Sequence, residues 1–409
     1  MQKLPTTTLS RATLMFPLAL VLFEFSVYIG NDLVQPAMLA ITRDFGVSSS
    51  WAPSSMSFYL LGGVSVAWLL GPLSDRLGRK RVLLAGVLFF VLCCLLILFT
   101  QNIQQFLVLR FLQGFGLSAI SAVGYAAIQE SFEERDAIKV MALMANISLL
   151  APLLGPVFGA ALIDHVSWHW GFIAIALMAG LSWFGLKYKM PTHQISYTKR
   201  SFGTVFDDFK QVYRNKRFLA LTMSLPLVCG PIMLWVALSP IILVEELGLS
   251  GFEYGLAQFP VLGALILGNV LLMKIIDKYP LGKTILIGVP MMLLGGVILL
   301  VGMIWQDYLL FCLLLGMSLM SFGEGISFSI LFRFALMSSE VSKGTVAAAV
   351  SMLMMSIVFI MIEASRILYA QWHIWSYSLL CFALVAIWFG FPRSAIKQQM
   401  QERKQQGQF

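Results

Sequence analysis

Apolar positions in this chain alternate with polar ones neither at a strand period nor along a single helix face. They run almost unbroken for about 20 residues at a time, the length a helix needs to cross a bilayer core. Such runs, bounded by turn or charge signals, fall at 14–38, 52–72, 81–99, 105–128, 139–163 and 168–188. A second set follows at 218–243, 253–275, 283–304, 309–334, 344–369 and 374–392. The pattern predicts an all-α membrane protein of twelve transmembrane helices. A polar stretch divides them into a six-helix bundle at 1–188, a linker at 189–217 and a second six-helix bundle with its tail at 218–409. Within the linker, Phe202, Val205, Phe206, Phe209 and Val212 share one face of a predicted amphipathic helix suited to a membrane interface.

Composition removes the soluble alternatives. Of 409 residues, 59% are hydrophobic and 12% charged, whereas a soluble domain carries about 25% charge. Twelve spans use about 240 residues, which leaves loops, one linker and two tails but no separate catalytic domain. The net charge of +8 would suggest nucleic acid in a soluble protein, but its placement says otherwise. With the N-terminus inside, every Lys and Arg except Arg43, Arg110 and Arg366 falls on the inner side. This is the positive-inside pattern, with both termini cytoplasmic and no nucleic-acid partner expected. The first run follows Lys3 and Arg11 as a signal peptide would, but it is long, contains Glu24 and Asp32, and lacks a small-x-small cleavage site. It is read as a retained span.

Few polar groups interrupt the spans, and each needs a reason, since a charge at the bilayer centre costs at least about 2.5–3.5 kcal/mol. In the first span Glu24, Tyr28, Asn31 and Gln35 lie close to one line, with Asp32 further round and its carboxyl about 12 Å along the axis from that of Glu24. Burial disfavours the charged form of an acid, so proton and cation can compete for such groups near neutrality. Glu24 and Asp32 are therefore the candidate proton-coupling and cation-binding residues, with Tyr28 and Asn31 beside them. In the fourth span Arg110 is their expected partner, and Gln113, Ser118, Ser121 and Tyr125 continue its side of the helix. Glu324, between Gly323 and Gly325 in the tenth span, is a secondary candidate. Glu363 and Arg366 are spaced to pair on one helix face. Met144 and Asn146 of the fifth span complete the candidate substrate-binding set.

Other motifs concern movement rather than binding. The turn after the second span carries Gly71, Asp75, Arg76, Gly78 and Arg79, and a partial echo (Asp277, Lys278, Gly282, Lys283) follows the eighth. Two related halves are the architecture expected of a transporter that rocks about a midplane site. Pro152, Gly155, Pro156 and Gly159 make the fifth span bent and able to pack closely. The Gly282-Lys283-Thr284 triplet is not a phosphate loop, because the first glycine position is Asp277. Neither hydrolase nor zinc-protease motifs occur, and the 5 cysteines and 4 histidines show no ligand spacing. No enzyme, metal or cofactor is expected.

These motifs together resemble the major facilitator superfamily over nearly the whole chain. Gly71–Arg81, Arg110 with Gln113 and Gly114, and Ala151–Gly159 match its second-, fourth- and fifth-span patterns. Leu22–Asp32, Gly124–Glu134 and Ser342–Val346 further resemble the bacterial MdfA-type multidrug/proton antiporters. Glu324 departs from that type. The resemblance implies export of lipophilic cationic and neutral drugs in exchange for protons, with Glu24, Asp32 and Arg110 in the coupling role, by a monomer in the bacterial inner membrane. A Na⁺ or K⁺/proton antiporter and a dedicated metabolite exporter are the alternatives. A membrane receptor or intramembrane enzyme is a more remote one.

Overall fold

The computed structural model describes residues 14–163, 166–191, 202–275, 278, 283–339 and 341–390. Lys3, Arg11, Lys199, Arg200, Asp277, Gly282, the basic C-terminal tail and the side chain of Asn146 lie outside the described residues. Every regular element described is helical. In chain order these are α1 (Met15–Asp32), α2 (Val34–Asp44), α3 (Ala52–Ser65), α4 (Ala67–Leu77), α5 (Arg79–Ile97) and α6 (Ile103–Gln113). There follow α7 (Phe115–Ser118), a π-helical segment at Ala119–Gly124, α8 (Tyr125–Ser131), α9 (Glu134–Ile163), α10 (His169–Lys189), α11 (Phe202–Arg214) and α12 (Lys216–Pro240). A second π segment, Ile241–Glu246, extends α12 before α13 (Gly251–Ile275), α14 (Lys283–Ile304), α15 (Leu309–Leu336) and α16 (Lys343–Gly390).

Nine helices among the described residues are long and apolar enough to cross a membrane, and the bent pair α3–α4 makes ten. Two further observations connect this count with twelve. At 48 residues, α16 is far longer than one span, and its backbone leaves the helical region at His373 (φ 49°), between the predicted eleventh and twelfth spans. The 30-residue α9 covers the predicted fifth span. The protein is a multi-pass membrane protein.

Local chemistry explains where helices begin, bend and break. Asn102 caps α6 by accepting from the Gln105 N–H (2.9 Å), and the Gln105 side chain accepts in return from the Gln101 N–H (2.9 Å). Ser250 and Glu253 form a reciprocal capping box at α13 (2.9 and 3.3 Å). The first span is divided after Asp32 because Pro36 has no N–H for the Asp32 carbonyl, while helical angles persist through Leu33. At the 44° bend between α3 and α4, the Ser65 hydroxyl bonds back to the Gly62 carbonyl (2.8 Å) and the Trp68 indole N–H donates to the Ser65 carbonyl (3.0 Å).

The chain divides into two compact units, residues 1–49 with 58–204, and 50–57 with 205–409. In the first unit α1 packs on α9 and α10, and α5 on α6 and α10. Its core includes Phe23, Val27, Phe90, Ile120, Met144 and Ile175. In the second, α15 packs against α12, α13 and α14, and α16 against α12 and α14. The linker helix α11 belongs with this second unit: the Tyr213 hydroxyl donates to the Ala349 carbonyl (3.1 Å) and Asn215 Nδ2 to that of Ser338 (2.8 Å). Val205 and Val212 are buried, whereas Phe206 is 72% exposed.

Candidate functional site

The first span brings its polar stripe into the body of the first unit. Glu24 is fully buried, and Asn31, Asp32 and Gln35 are buried beside it. The Tyr125 hydroxyl donates to Glu24 Oε1 (2.7 Å). Tyr125 follows directly on the π-wound segment of the fourth span, Ala119–Gly124. Single π turns interrupt helices frequently at functional sites.

Around Asp32 the contacts form a chain. Asn31 Nδ2 donates to Asp32 Oδ1 (3.0 Å), and Asn31 Oδ1 accepts from Arg110 Nη2 (3.4 Å). Arg110 Nη1 also donates to the Gly30 carbonyl (3.1 Å) and to Gln113 Oε1. Gln113 in turn donates to Cys94 Sγ (3.0 Å). The guanidinium lies over the Tyr59 ring, 4.4 Å from its centroid, and the Tyr59 hydroxyl donates to the Val27 carbonyl (2.8 Å). Arg110 thus sits fully buried within a fork of acceptors and an aromatic face, an environment suited to a guanidinium and not to an ammonium. The expected carboxylate–arginine pairing is organised through Asn31, which extends α1's acidic end toward α6.

Close backbone approach makes this arrangement possible. The Gly62 and Gly114 positions place α3 and the fourth span in contact: a Cβ on Gly62 would fall on the Phe111 carbonyl oxygen, and one on Gly114 on that of Tyr59. The bond from the Ser118 hydroxyl to the Gly63 carbonyl belongs to the same crossing. On the other side of α1, a Cβ on Gly155 would lie 2.6 Å from Asp32 Cβ, and one on Gly159 2.8 Å from Pro36 Cγ. Pro156, Gly155 and Gly159 are buried at this contact and Pro152 is half-buried. Met144 lies in the apolar core of the unit.

The turn after α4 forms a separate charged cluster. Gly78 adopts φ 93°, a backbone that favours glycine and starts α5 directly at Arg79. Arg79 then reaches Asp75 (2.6 Å) and Glu130 (3.0 Å), and also touches Ser74 Oγ and the Gly71 carbonyl (3.5 Å). Arg76, from the same turn, is exposed. Tyr59 and Glu130 are the residues that reasoning from sequence missed. A tyrosine in an apolar run and an acid at a span end are both ordinary, and only the fold shows what each one meets.

Glu324 lies in the second unit. It is 6% exposed on α15, which packs against α12. Glu363 does more than pair with Arg366 (2.9 Å). It also accepts from Ser54 (3.1 Å) and Ser57, while Arg366 lies over the Trp51 ring at 4.2 Å. Among the described residues no group of three His, Cys, Asp or Glu side chains could hold a metal.

Comparison with known proteins identifies the family. The sequence profile of the Major Facilitator Superfamily matches residues 20–363. Over 403 residues, 98% of each chain, the protein is 71% identical to the chloramphenicol resistance protein CraA of Acinetobacter baumannii. It is 44% identical over 396 residues, 97% of each chain, to the multidrug transporter MdfA of Yersinia pestis. Among solved structures, a D-xylose–proton symporter superposes with a TM-score of 0.70 at 17% identity, over 93% of this chain and 97% of that one. The POT family transporter PepTSo gives 0.70 at 12%, over 96% and 99%. Such low identities speak for a shared fold alone.

Proposed function

Because the chain belongs to the major facilitator superfamily, we propose that it is a proton-coupled multidrug efflux antiporter, exporting lipophilic cationic and neutral compounds by alternating access. One observation carries this reading: α1 holds two buried carboxyls, Glu24, which accepts from Tyr125 of α8, and Asp32, which Asn31 links to Arg110 of α6. A span keeps such groups only for a strong reason, and exchange of a proton for a cation is the chemistry they suit. The names of the relatives suggest chloramphenicol as a neutral substrate and structurally varied drugs besides.

In this proposal the protein lies in the bacterial inner membrane with both termini cytoplasmic and works as a monomer. The proton is its coupling ion and it needs no cofactor. Asp32 and Glu24 take up protons when open to the outside, which weakens their hold on a cation and favours its departure. Loss of the protons to the cytoplasm restores the carboxylates, which attract the next cation. Asn31 passes the influence of Arg110 to Asp32, so the arginine biases the proton toward leaving. Neutral drugs compete through the conformations in which the carboxyls are protonated, without a charge pair. The Asp75–Arg79–Glu130 cluster is assigned to conformational change at the cytoplasmic end. Glu324 is kept as a secondary candidate for a second titrating site, and Tyr28, Gln113, Met144 and Asn146 are assigned as contributors to drug binding.

The test is proton release by the purified protein in weakly buffered detergent. Adding chloramphenicol or a lipophilic cation should release protons from the native protein, and Asp32→Asn should abolish the signal. Equal release from the variant would remove Asp32 from the coupling role.

A further inference from the structure

We propose that Glu363 is a further proton-binding site, a carboxyl built to take up a proton on Oε1 and to keep its hold on the head of α3 in both charge states. It lies in the second unit, to which residues 50–57 also belong. The site is additional to the carboxyls of α1 and does not depend on their coupling role.

The two carboxyl oxygens are treated differently. Oε2 accepts from Ser54 Oγ (3.1 Å) and from Arg366 Nε (2.9 Å), while Oε1 faces Ser57 Oγ. Ser57 is the informative partner, because its hydroxyl also bonds the Ser54 carbonyl (3.1 Å). A hydroxyl has one hydrogen to donate and lone pairs that accept, so it cannot donate to both oxygens at once. With Glu363 ionised, Ser57 donates to Oε1. With a proton on Oε1, the acid donates to Ser57 Oγ and the Ser57 hydrogen turns to the Ser54 carbonyl. One proton is added, one hydroxyl rotates, and the acid keeps all three partners.

The surroundings suit a group that changes charge. Ser54 and Ser57 are fully buried, whereas the side chains of Glu363 and Arg366 are 18% and 17% exposed, enough to exchange a proton with water. The Arg366 guanidinium lies 4.2 Å from the centroid of the Trp51 ring, and an aromatic face attracts a cation whatever the charge of the carboxyl beside it. Arg366 is therefore not stranded when Glu363 becomes neutral. Arg366 is also the ion-pair partner of Glu363 among the described residues, and α3 faces the acid with hydroxyls. Of the helices packed on α16, α14 has its one charge at Lys283, α15 carries Glu324 and Arg333, and α12 carries Lys216 and Arg217 at its start. The π extension of α12 adds Glu245 and Glu246, and Glu246 meets His373 (3.0 Å), further along α16.

Infrared difference spectra of the full-length protein, recorded without drug from about pH 4 to about pH 10, read the carbonyl band of protonated carboxyl groups. A titrating component should be present in the native protein and in Asp32→Asn and missing from Glu363→Gln. Arg366→Gln should displace its midpoint by about 1 pH unit or more, since a charge that opposes proton uptake is gone. Thermal unfolding tests the hold of the neutral form. A glutamine offers one donating and one accepting end, as the protonated acid does, so Glu363→Gln should lose less than about half of the stability that Glu363→Leu loses. A component that survives Glu363→Gln, or a midpoint unmoved in Arg366→Gln, overturns the inference. So do equal unfolding midpoints in the Gln and Leu variants, whether both are lowered or neither, and a Glu363→Gln protein that does not fold. None of these readings uses drug, so they stand apart from drug-evoked proton release, whose failure would count against the antiport reading instead.

Discussion

Arg110 shows most clearly how a single side chain is specified by its surroundings. It donates to Gly30, Asn31 and Gln113 and stacks on Tyr59. A lysine keeps the charge but has no planar fork for three diverging acceptors and no flat face for the ring. Arg110→Lys is therefore expected to insert and purify normally but to lose at least about 10-fold in drug resistance, since one broken charge-assisted bond is worth about 1.5–3 kcal/mol. The minimum inhibitory concentration of chloramphenicol in a susceptible host measures this, and native-level resistance would contradict the assigned role. Rarity alone identifies Glu24, Asp32, Arg110 and Gln113 in the sequence, because a charge or amide in an apolar run requires a partner. It cannot identify Tyr59, whose aromatic ring is at home in any span and whose importance lies in the guanidinium above it. Asn31 is visible as part of a polar stripe, but not as the bridge between Asp32 and Arg110.

At the scale of elements, glycine determines which helices can touch. Gly114 sits where a side chain would strike the Tyr59 carbonyl of α3, the helix that carries the aromatic face under Arg110. Gly114→Ala overpacks a backbone contact and should destabilise the protein by about 1–3 kcal/mol. A lowered thermal unfolding midpoint in detergent would show it, and an unchanged midpoint would mean that α3 and the fourth span separate without penalty. Proline makes some breaks readable in advance: Pro36 explains the interruption after Asp32, and Pro152 with Pro156 the weakened α9. The π winding at Ala119–Gly124 has no such sequence mark, since it depends on how the fourth span fits its neighbours. The break at His373 lies between two apolar runs, and bilayer thickness requires it, because 48 helical residues would extend about 70 Å. The amphipathic pattern of α11 anticipates a helix but not its docking by Tyr213 and Asn215. Periodicity reports that a face is apolar, without saying whether protein or lipid covers it.

For the whole molecule, scarcity of charge is the organising fact. Charged residues make up 12% of the chain, and those inside spans are few enough to be assigned one at a time. Glu24, Asp32 and Arg110 are buried in the first unit, and Glu324 in the second. The proposed cycle makes the first set the coupling machinery, and it requires drug and proton to move in opposite directions through the same protein. Everted membrane vesicles with an acid interior test that requirement most directly, with luminal pH followed by a fluorescent amine. Adding chloramphenicol or a lipophilic cation should raise the luminal pH in vesicles containing the native protein, as protons leave in exchange for entering drug, and should do nothing in vesicles containing Asp32→Asn. A native protein that leaves the gradient untouched, or an Asp32→Asn variant that discharges it equally well, would contradict proton antiport through Asp32.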